Sequence, residues 1–294
     1  MRWIWIIAGV TAVLVAVTNA AAGANVRALP AGGSQVAAFD VNDQRVIVGG
    51  FSGVNGASSQ GFVLRHGVFT ALNVPGSARH ATVAKGVNNA GDVVGDYLDP
   101  GGRMHGYLLH DGTYTTLNVP GRGNQTCAYE INAAGDIVGF YTGPRGATHG
   151  FVRHNGTYTP FNDPQATGGT FGFGINNAGD IVGAFFRHGH RFGFLLRHGT
   201  FTTIDVPGSA GTYANGINDA GAIVGGYFDA GEHMQGFLLA GGRYQTFNEP
   251  SGARGTHPHA INAAGDIVGT YLDRSGADHG FLRHDGRYTT IRVP

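Results

Sequence analysis

Apolar residues come in short runs along this chain, alternating with polar or small residues and broken every few positions by glycine, Asn or Asp. Two-residue alternation buries one face of a strand, and runs this short leave no room for a helical period. The runs also repeat. The phrase Gly86-Val87-Asn88-Asn89-Ala90-Gly91-Asp92-Val93-Val94-Gly95 returns in copies that end at Gly139, Gly183, Gly225 and Gly269, and a degenerate copy from Val41 to Val48 ends at Gly49. The spacings are 46, 44, 44, 42 and 44 residues. Six such units nearly fill the chain beyond its first segment, which predicts one domain built of six repeats.

Each unit reads as four strands. The first ends in a Gly-Ile-Asn-like phrase and turns through Asn-Ala-Gly-Asp, where glycine supplies a positive φ. The second is of the type Ile267 to Leu272, and the third of the type His279 to Arg283. A two-residue turn follows in every copy: His66-Gly67, Asp111-Gly112, Asn155-Gly156, His198-Gly199, Gly241-Gly242 and Asp285-Gly286. Most of these are pairs that hairpins favour. The fourth strand runs into a proline, at Pro75, Pro120, Pro164, Pro207, Pro250 and Pro294. In the fourth copy Phe185 to Phe192 reads as a hairpin, so the second-to-third link lies inside the unit. The segment after the proline then crosses to the next unit. Four-stranded meanders of this length predict an all-β fold, a six-bladed β-propeller over residues 34–294. Its blades should begin near Ser34, His80, Gln125, Gly169, Gly211 and Gly255. An open β-solenoid is the rival, disfavoured because its coils are usually shorter than ~30 residues.

The first segment departs from the pattern. Arg2 precedes an apolar run from Trp3 to Val17, followed by the small residues of Thr18 to Ala24. This is the layout of a secretory signal peptide, predicted over 1–24 with cleavage after Ala20, Ala22 or Ala24, and a linker over 25–33. The run is shorter than the ~20 residues of a spanning helix, so an uncleaved anchor is the lesser reading. No later stretch resembles a membrane span, and the mature protein is expected to be secreted or periplasmic. Composition changes the picture at three points. Glycine is 52 of 294 residues, about 18% against a usual ~7%, as a chain of tight turns requires. Lys+Arg and Asp+Glu are both 19, so no net charge points to nucleic acid or to an anionic membrane. Cys127 is the one cysteine, which excludes an intrachain disulfide.

The third strands carry a tripeptide: His105-Gly106-Tyr107, His149-Gly150-Phe151 and His279-Gly280-Phe281, altered to Gln60-Gly61-Phe62, Phe192-Gly193-Phe194 and Gln235-Gly236-Phe237. With the Ile-Asn-Ala-Ala-Gly-Asp-Ile-Val-Gly phrases, it resembles the bacterial HAF-family extracellular repeats, named for a His-Ala-Phe tripeptide. The resemblance covers nearly the whole mature chain. It implies an exported bacterial protein and carries over no catalytic residue, because the family has no established common activity.

Motifs for chemistry are few. There is no Gly-x-Ser-x-Gly elbow, Walker-type loop or Rossmann fingerprint, and no cofactor is expected. The turns at Asp92, Asp136, Asp180 and Asp266 invite a calcium reading, but they lack the alternate oxygens and bidentate Glu of a calcium loop. Asp and Asn in turns usually bond their own backbone instead. His105, His149 and His279 share one repeat position, so packing or a bond to a neighbouring repeat accounts for them most simply. His257-Pro258-His259 places two imidazoles on one strand face, whereas His188-Gly189-His190 spans a predicted turn. Neither pair has a recognised ligand spacing, and no metal is expected.

The repeats disagree most in two adjacent columns of the first strand. Three residues before Asn42 and its counterparts stand Phe39, Lys85, Tyr129, Phe173, Asn215 and His259; two before stand Asp40, Gly86, Glu130, Gly174, Gly216 and Ala260. The first strand should be innermost, so Asp40, Lys85, Tyr129, Glu130, Asn215 and His259, with His257, are candidate binding residues around a central channel. Lys85, the only lysine, is expected to reach Asp40 on one side and Glu130 on the other. A second candidate surface is the face of the crossovers and variable second-to-third loops. It carries Arg79, His80, Arg103, Arg122, Arg145, Glu232, His233, Arg254 and Arg274. Arginine binds carboxylates and sulfates bidentately, which suits an acidic polysaccharide; a protein is the other candidate ligand. The expected function is a non-enzymatic, exported binding propeller. The alternative is a propeller hydrolase or lyase, with Asp40 or Glu130 working beside Lys85 or His259 at the channel mouth.

Overall fold

The computed structural model describes residues 35–52, 59–78, 81–121 and 125–292; the predicted signal peptide and linker lie outside them, as do Arg79, His80 and Arg122. Within them run twenty-four strands, β1 to β24 in chain order. Consecutive fours pair as antiparallel meanders, the first being β1 (Gln35–Val41), β2 (Ile47–Ser52), β3 (Ser59–Arg65) and β4 (Val68–Leu72). The later meanders begin with β5 (Thr82–Val87), β9 (Gln125–Ile131), β13 (Thr170–Ile175), β17 (Gly211–Ile217) and β21 (Gly255–Ile261). A single parallel bridge, Met234 to Gly255, joins the last two meanders. β1 pairs with β2 and not with the last strand, β24 (Arg287–Ile291), so each meander is contiguous in sequence. Among the described residues no helix is long and apolar enough to cross a membrane.

Local chemistry explains the meander. The two-residue turns hold both residues at positive φ, as in His66 at 48° and Gly67 at 79°, the geometry whose twist matches paired strands. The glycine that ends each repeat phrase is fixed by close approach rather than by φ: a Cβ on Gly95 would stand 2.0 Å from the Val83 carbonyl oxygen. Over that glycine lies the ring of the tripeptide, and Phe62, Tyr107, Phe151, Phe194, Phe237 and Phe281 are all fully buried.

Neighbouring meanders meet through small residues. A Cβ on Gly61 would lie 3.2 Å from the Ala84 nitrogen, and one on Gly193 3.3 Å from the Ala214 Cβ. Buried Thr82, Thr126, Thr170, Thr212 and Thr256 each accept a hydrogen bond from the crossover behind them, through the N–H of Val74, Val119, Asp163, Val206 and Glu249. The first strands pack in order, β5 on β1 and so on to β21, which packs back on β1. They form a closed inner ring.

A side-chain circuit ties that ring at its turn end. Asn42, Asn88, Asn132, Asn176 and Asn218 each donate from Nδ2 to the carbonyl of the next Asn, at 3.0, 3.3, 3.2, 3.3 and 3.0 Å. Asn262 donates to the Asn42 carbonyl at 3.1 Å, closing the circuit across the junction of the last and first repeats. The Oδ1 of each Asn accepts the N–H four residues on, from Val46, Asp92, Asp136, Asp180, Ala222 and Asp266 in turn.

Candidate functional site

Each first strand carries a β-bulge shortly before its turn. In β1 the register steps from Ala38 opposite Gly49 to Asp40 opposite Val48, which leaves Phe39 unpaired. The same step leaves Lys85, Tyr129, Phe173, Asn215 and His259 unpaired. A bulge re-aims a side chain. Two adjacent columns can therefore both reach the axis, which simple alternation forbids. The six bulged residues and Glu130 line one cavity of about 20 Å³, room for about one water molecule. Asp40 lies one level nearer the turns, in a second cavity of about 90 Å³ that Glu130 also borders and the Asn circuit rims.

Asp40 and Glu130 meet at that level. Asp40 is buried; its Oδ1 accepts from Val41 N–H at 2.7 Å and its Oδ2 from Val87 N–H at 2.6 Å. Burial nonetheless raises its pKa to about 6, against the lowering effect of those two donors. Glu130 hydrogen-bonds the Asp40 carboxyl and accepts from Ile131 N–H at 3.0 Å; burial first, and the Asp40 charge second, push it well above the usual carboxylate range. Two carboxyls joined this way need a proton on one of them, and Glu130 is the holder. They span Gly86 of the meander between, where a Cβ would stand 2.8 Å from the Glu130 Cα.

Lys85 does not join this pair, contrary to the expectation from sequence. Its Nζ lies 2.7 Å from Asp96 Oδ1 in β6 (Val93–Leu98) of its own meander, and 3.9 Å from the centroid of the Tyr129 ring. Burial pulls the lysine pKa down, but the Asp96 carboxylate outweighs it and holds Lys85 above its ordinary value. A signal for Asp96 existed in the second strands: the equivalent positions are Gly50, Phe140, Ala184, Gly226 and Thr270, so Asp96 is the one charge in its column.

On the far side of the axis the His257 and His259 rings lie 4.4 Å apart. Asn215 Nδ2 donates to His257 Nε2 at 2.9 Å and to the Pro258 carbonyl at 2.8 Å, and His259 Nε2 bonds Thr270 Oγ1 at 3.2 Å. Burial lowers both imidazoles, His257 to about 4, so both are neutral at pH 7. Among the described residues no three His, Cys, Asp or Glu side chains are grouped to hold a metal.

Two smaller expectations are met in part: the turn Asn residues bond their own backbone, and the tripeptide histidines pack, on Tyr97, Tyr141 and Tyr271. The turn carboxylates do not cap their own backbone, because Asn Oδ1 already takes the turn N–H. Asp92, Asp136 and Asp266 instead bond His110, His154 and His284 at 2.6, 2.5 and 2.5 Å, and Asp180 bonds Arg197 at 2.7 Å. The tripeptide histidines bond within their own repeat rather than to a neighbour: His105 bridges Asp99 and Asn118, His149 bonds Asn162, and His279 bonds Asp273.

At the opposite end of the strands, Arg103, Arg254 and Arg274 are exposed and make no ion pair among the described residues. The Arg254 Nη1 lies 3.3 Å from where a Cβ on Gly276 would stand, so its guanidinium covers the loop that carries Arg274. Arg145 falls in a one-turn 3-10 helix, Pro144–Gly146. Glu232 takes a left-handed turn position, and His233 lies 3.4 Å from Asp229. Asp99, Asp229 and Asp273 brace their loops by accepting the N–H of Arg103, His233 and Ala277 at 2.9, 3.0 and 3.1 Å.

No protein-family model and no curated protein sequence matches the chain. Solved structures do. TolB from Acinetobacter baumannii is similar at 11% identity and a TM-score of 0.59, covering 87% of this chain and 62% of TolB. A catalytically inactive virginiamycin B lyase from Staphylococcus aureus, with quinupristin, is similar at 14% identity and a TM-score of 0.54, over 91% and 87% of the two chains. The fucose-specific lectin from Aleuria aurantia is similar at 12% and 0.54, over 89% and 95%. At such identities the likeness is one of fold, and the fold is a β-propeller of four-stranded antiparallel sheets.

Proposed function

We propose that the six repeats are the blades of a six-bladed propeller of the HAF extracellular kind, exported by the segment 1–24, and that it is a non-enzymatic binding module. The filled channel carries this reading. Its cavities of about 20 and 90 Å³ fall far below the ~300–1,000 Å³ of a small-molecule pocket, and its ionisable groups are engaged with one another. Recognition then belongs to the variable-loop face, where Arg103, Arg254 and Arg274 stand exposed and Arg79, His80, Arg122 and Arg145 join them in sequence. Guanidinium groups favour carboxylates and sulfates, so the ligand class is an acidic or sulfated polysaccharide, or a protein with an acidic patch. A lectin among the structural neighbours supports the glycan choice. The test is affinity electrophoresis in alginate, with neutral dextran as control. Retardation by alginate alone, weakened by salt and lost in the Arg103→Ser, Arg254→Ser, Arg274→Ser variant, is expected. Equal migration of wild type and variant would refute it.

The Asp40–Glu130 pair favours a second reading, since a carboxyl held protonated near neutrality is what a general acid requires. Cleavage products from a polysaccharide incubated with wild type, absent with Glu130→Gln, would select it.

A further inference from the structure

One seam between repeats is unlike the others. A groove of about 510 Å³ separates the first and second meanders near their tight turns, with Val46, Val63 and Val68 on one side, Val93 and Leu109 on the other, and Arg65 at the rim. Departures from the repeat pattern coincide with it. Where Val46 stands, four copies carry Asp92, Asp136, Asp180 and Asp266, each bonded to a His or Arg at the end of the third strand. Where Val68 stands, the others carry Thr113, Thr157, Thr200, Arg243 and Arg287; Val68 is 66% exposed.

The change at Val46 also strips Arg65 of its partner. Its counterpart Arg197 is bound by Asp180 at 2.7 Å. In the fifth copy acid and base are lost together, as Ala222 and Ala240. The first copy alone keeps the cation without the acid, and among the described residues Arg65 makes no ion pair. Its Nη2 hangs over the neighbouring turn, 3.3 Å from where a Cβ on Gly91 would stand, as the Arg197 Nη2 does at 3.5 Å over Gly221.

We propose that this seam binds a small amphipathic anion, an organic carboxylate or sulfate with an apolar body. The volume lies within the range of small-molecule sites, the valine walls suit the body, and the uncompensated guanidinium selects an anionic head. The site is at the turn end of the strands and is independent of the loop-face reading.

Isothermal titration with decanoate, below its micellar range, tests it. Saturable binding of one decanoate per chain is expected, with decanol at least about tenfold weaker because it lacks the charge. Arg65→Gln should weaken decanoate to the level of decanol, Val68→Asp should abolish binding, and Arg197→Gln should leave it unchanged. Arg65 and Val68 are exposed, so thermal melts of Arg65→Gln and Val68→Asp should stay near wild type. Equal binding of decanoate and decanol by wild type would overturn the proposal without recourse to any variant. So would insensitivity to Arg65→Gln, or self-association that Val68→Asp abolishes, which would assign the groove to a second copy of the chain.

Discussion

Asp40 and Glu130 act as one acid with one proton to place. Their folded pKa values lie above the unfolded ones, Asp40 at about 6 and Glu130 well above the usual carboxylate range, so the native state holds more protons than the unfolded chain above pH ~4. Their contribution to stability is present at low pH and is lost as pH rises through 6 and beyond. His257 and His259 run the other way: their folded values lie below the ordinary one, and their contribution is lost as pH falls from ~6.5 through 4. Melting temperature against pH should therefore fall on both sides, and Glu130→Gln, which donates to Asp40 at every pH, should flatten the alkaline limb by several degrees. Lys85→Met should cost about 3–5 kcal/mol in denaturant unfolding, because it strands the buried Asp96 carboxylate; adding Asp96→Leu should recover most of the loss. Disagreement between aligned copies is enough to pick out Lys85, Asp40, Glu130, Asn215 and His259. It cannot show who touches whom. Lys85 turned to Asp96 because a carboxylate on its own sheet lies closer than one across Gly86, and only the paired register carries that information.

Strand boundaries, hairpin turns and crossovers are all legible in the chain, since each is written by glycine, proline or a change of period. The bulge is not. It leaves no residue signature, for its position holds Phe39, Lys85, Tyr129, Phe173, Asn215 and His259, yet it decides which side chains meet at the axis. The threonines that hold the crossovers are similarly easy to pass over, because Thr also suits any strand. The repeat-ending glycines make a sharper test. Gly95→Ala pushes a methyl against the Val83 carbonyl at 2.0 Å, with the Tyr107 ring 3.0 Å away, so neither neighbour can yield cheaply. A loss of at least about 3 kcal/mol in chemical denaturation is expected. Gly67→Ala meets no atom within 4 Å and bears only the strain of a positive φ, about 1 kcal/mol.

Across the whole molecule the Asn circuit joins the first and last repeats as it joins any other two, and Arg45 adds an ion pair to Asp266 at that junction. Asn262→Ala, at that junction, and Asn132→Ala, inside the chain, each remove one bond between repeats and the carbonyl that holds a turn. Both should lower unfolding free energy by similar amounts, about 1–3 kcal/mol, and a much larger loss at Asn262 would mark the junction as a special weak point. The Asn circuit has a direction, each amide giving to the next carbonyl, but it has no first member. The ring is therefore indifferent to where translation starts and stops. Joining the present ends and reopening the chain at any crossover would preserve every bond of the circuit, so circular permutants should fold alike. Unequal recombination that adds or deletes a whole repeat would likewise leave each Asn-to-carbonyl link of the circuit chemically unchanged, though a pair that reaches across a repeat, as Asp40 and Glu130 do, would be broken.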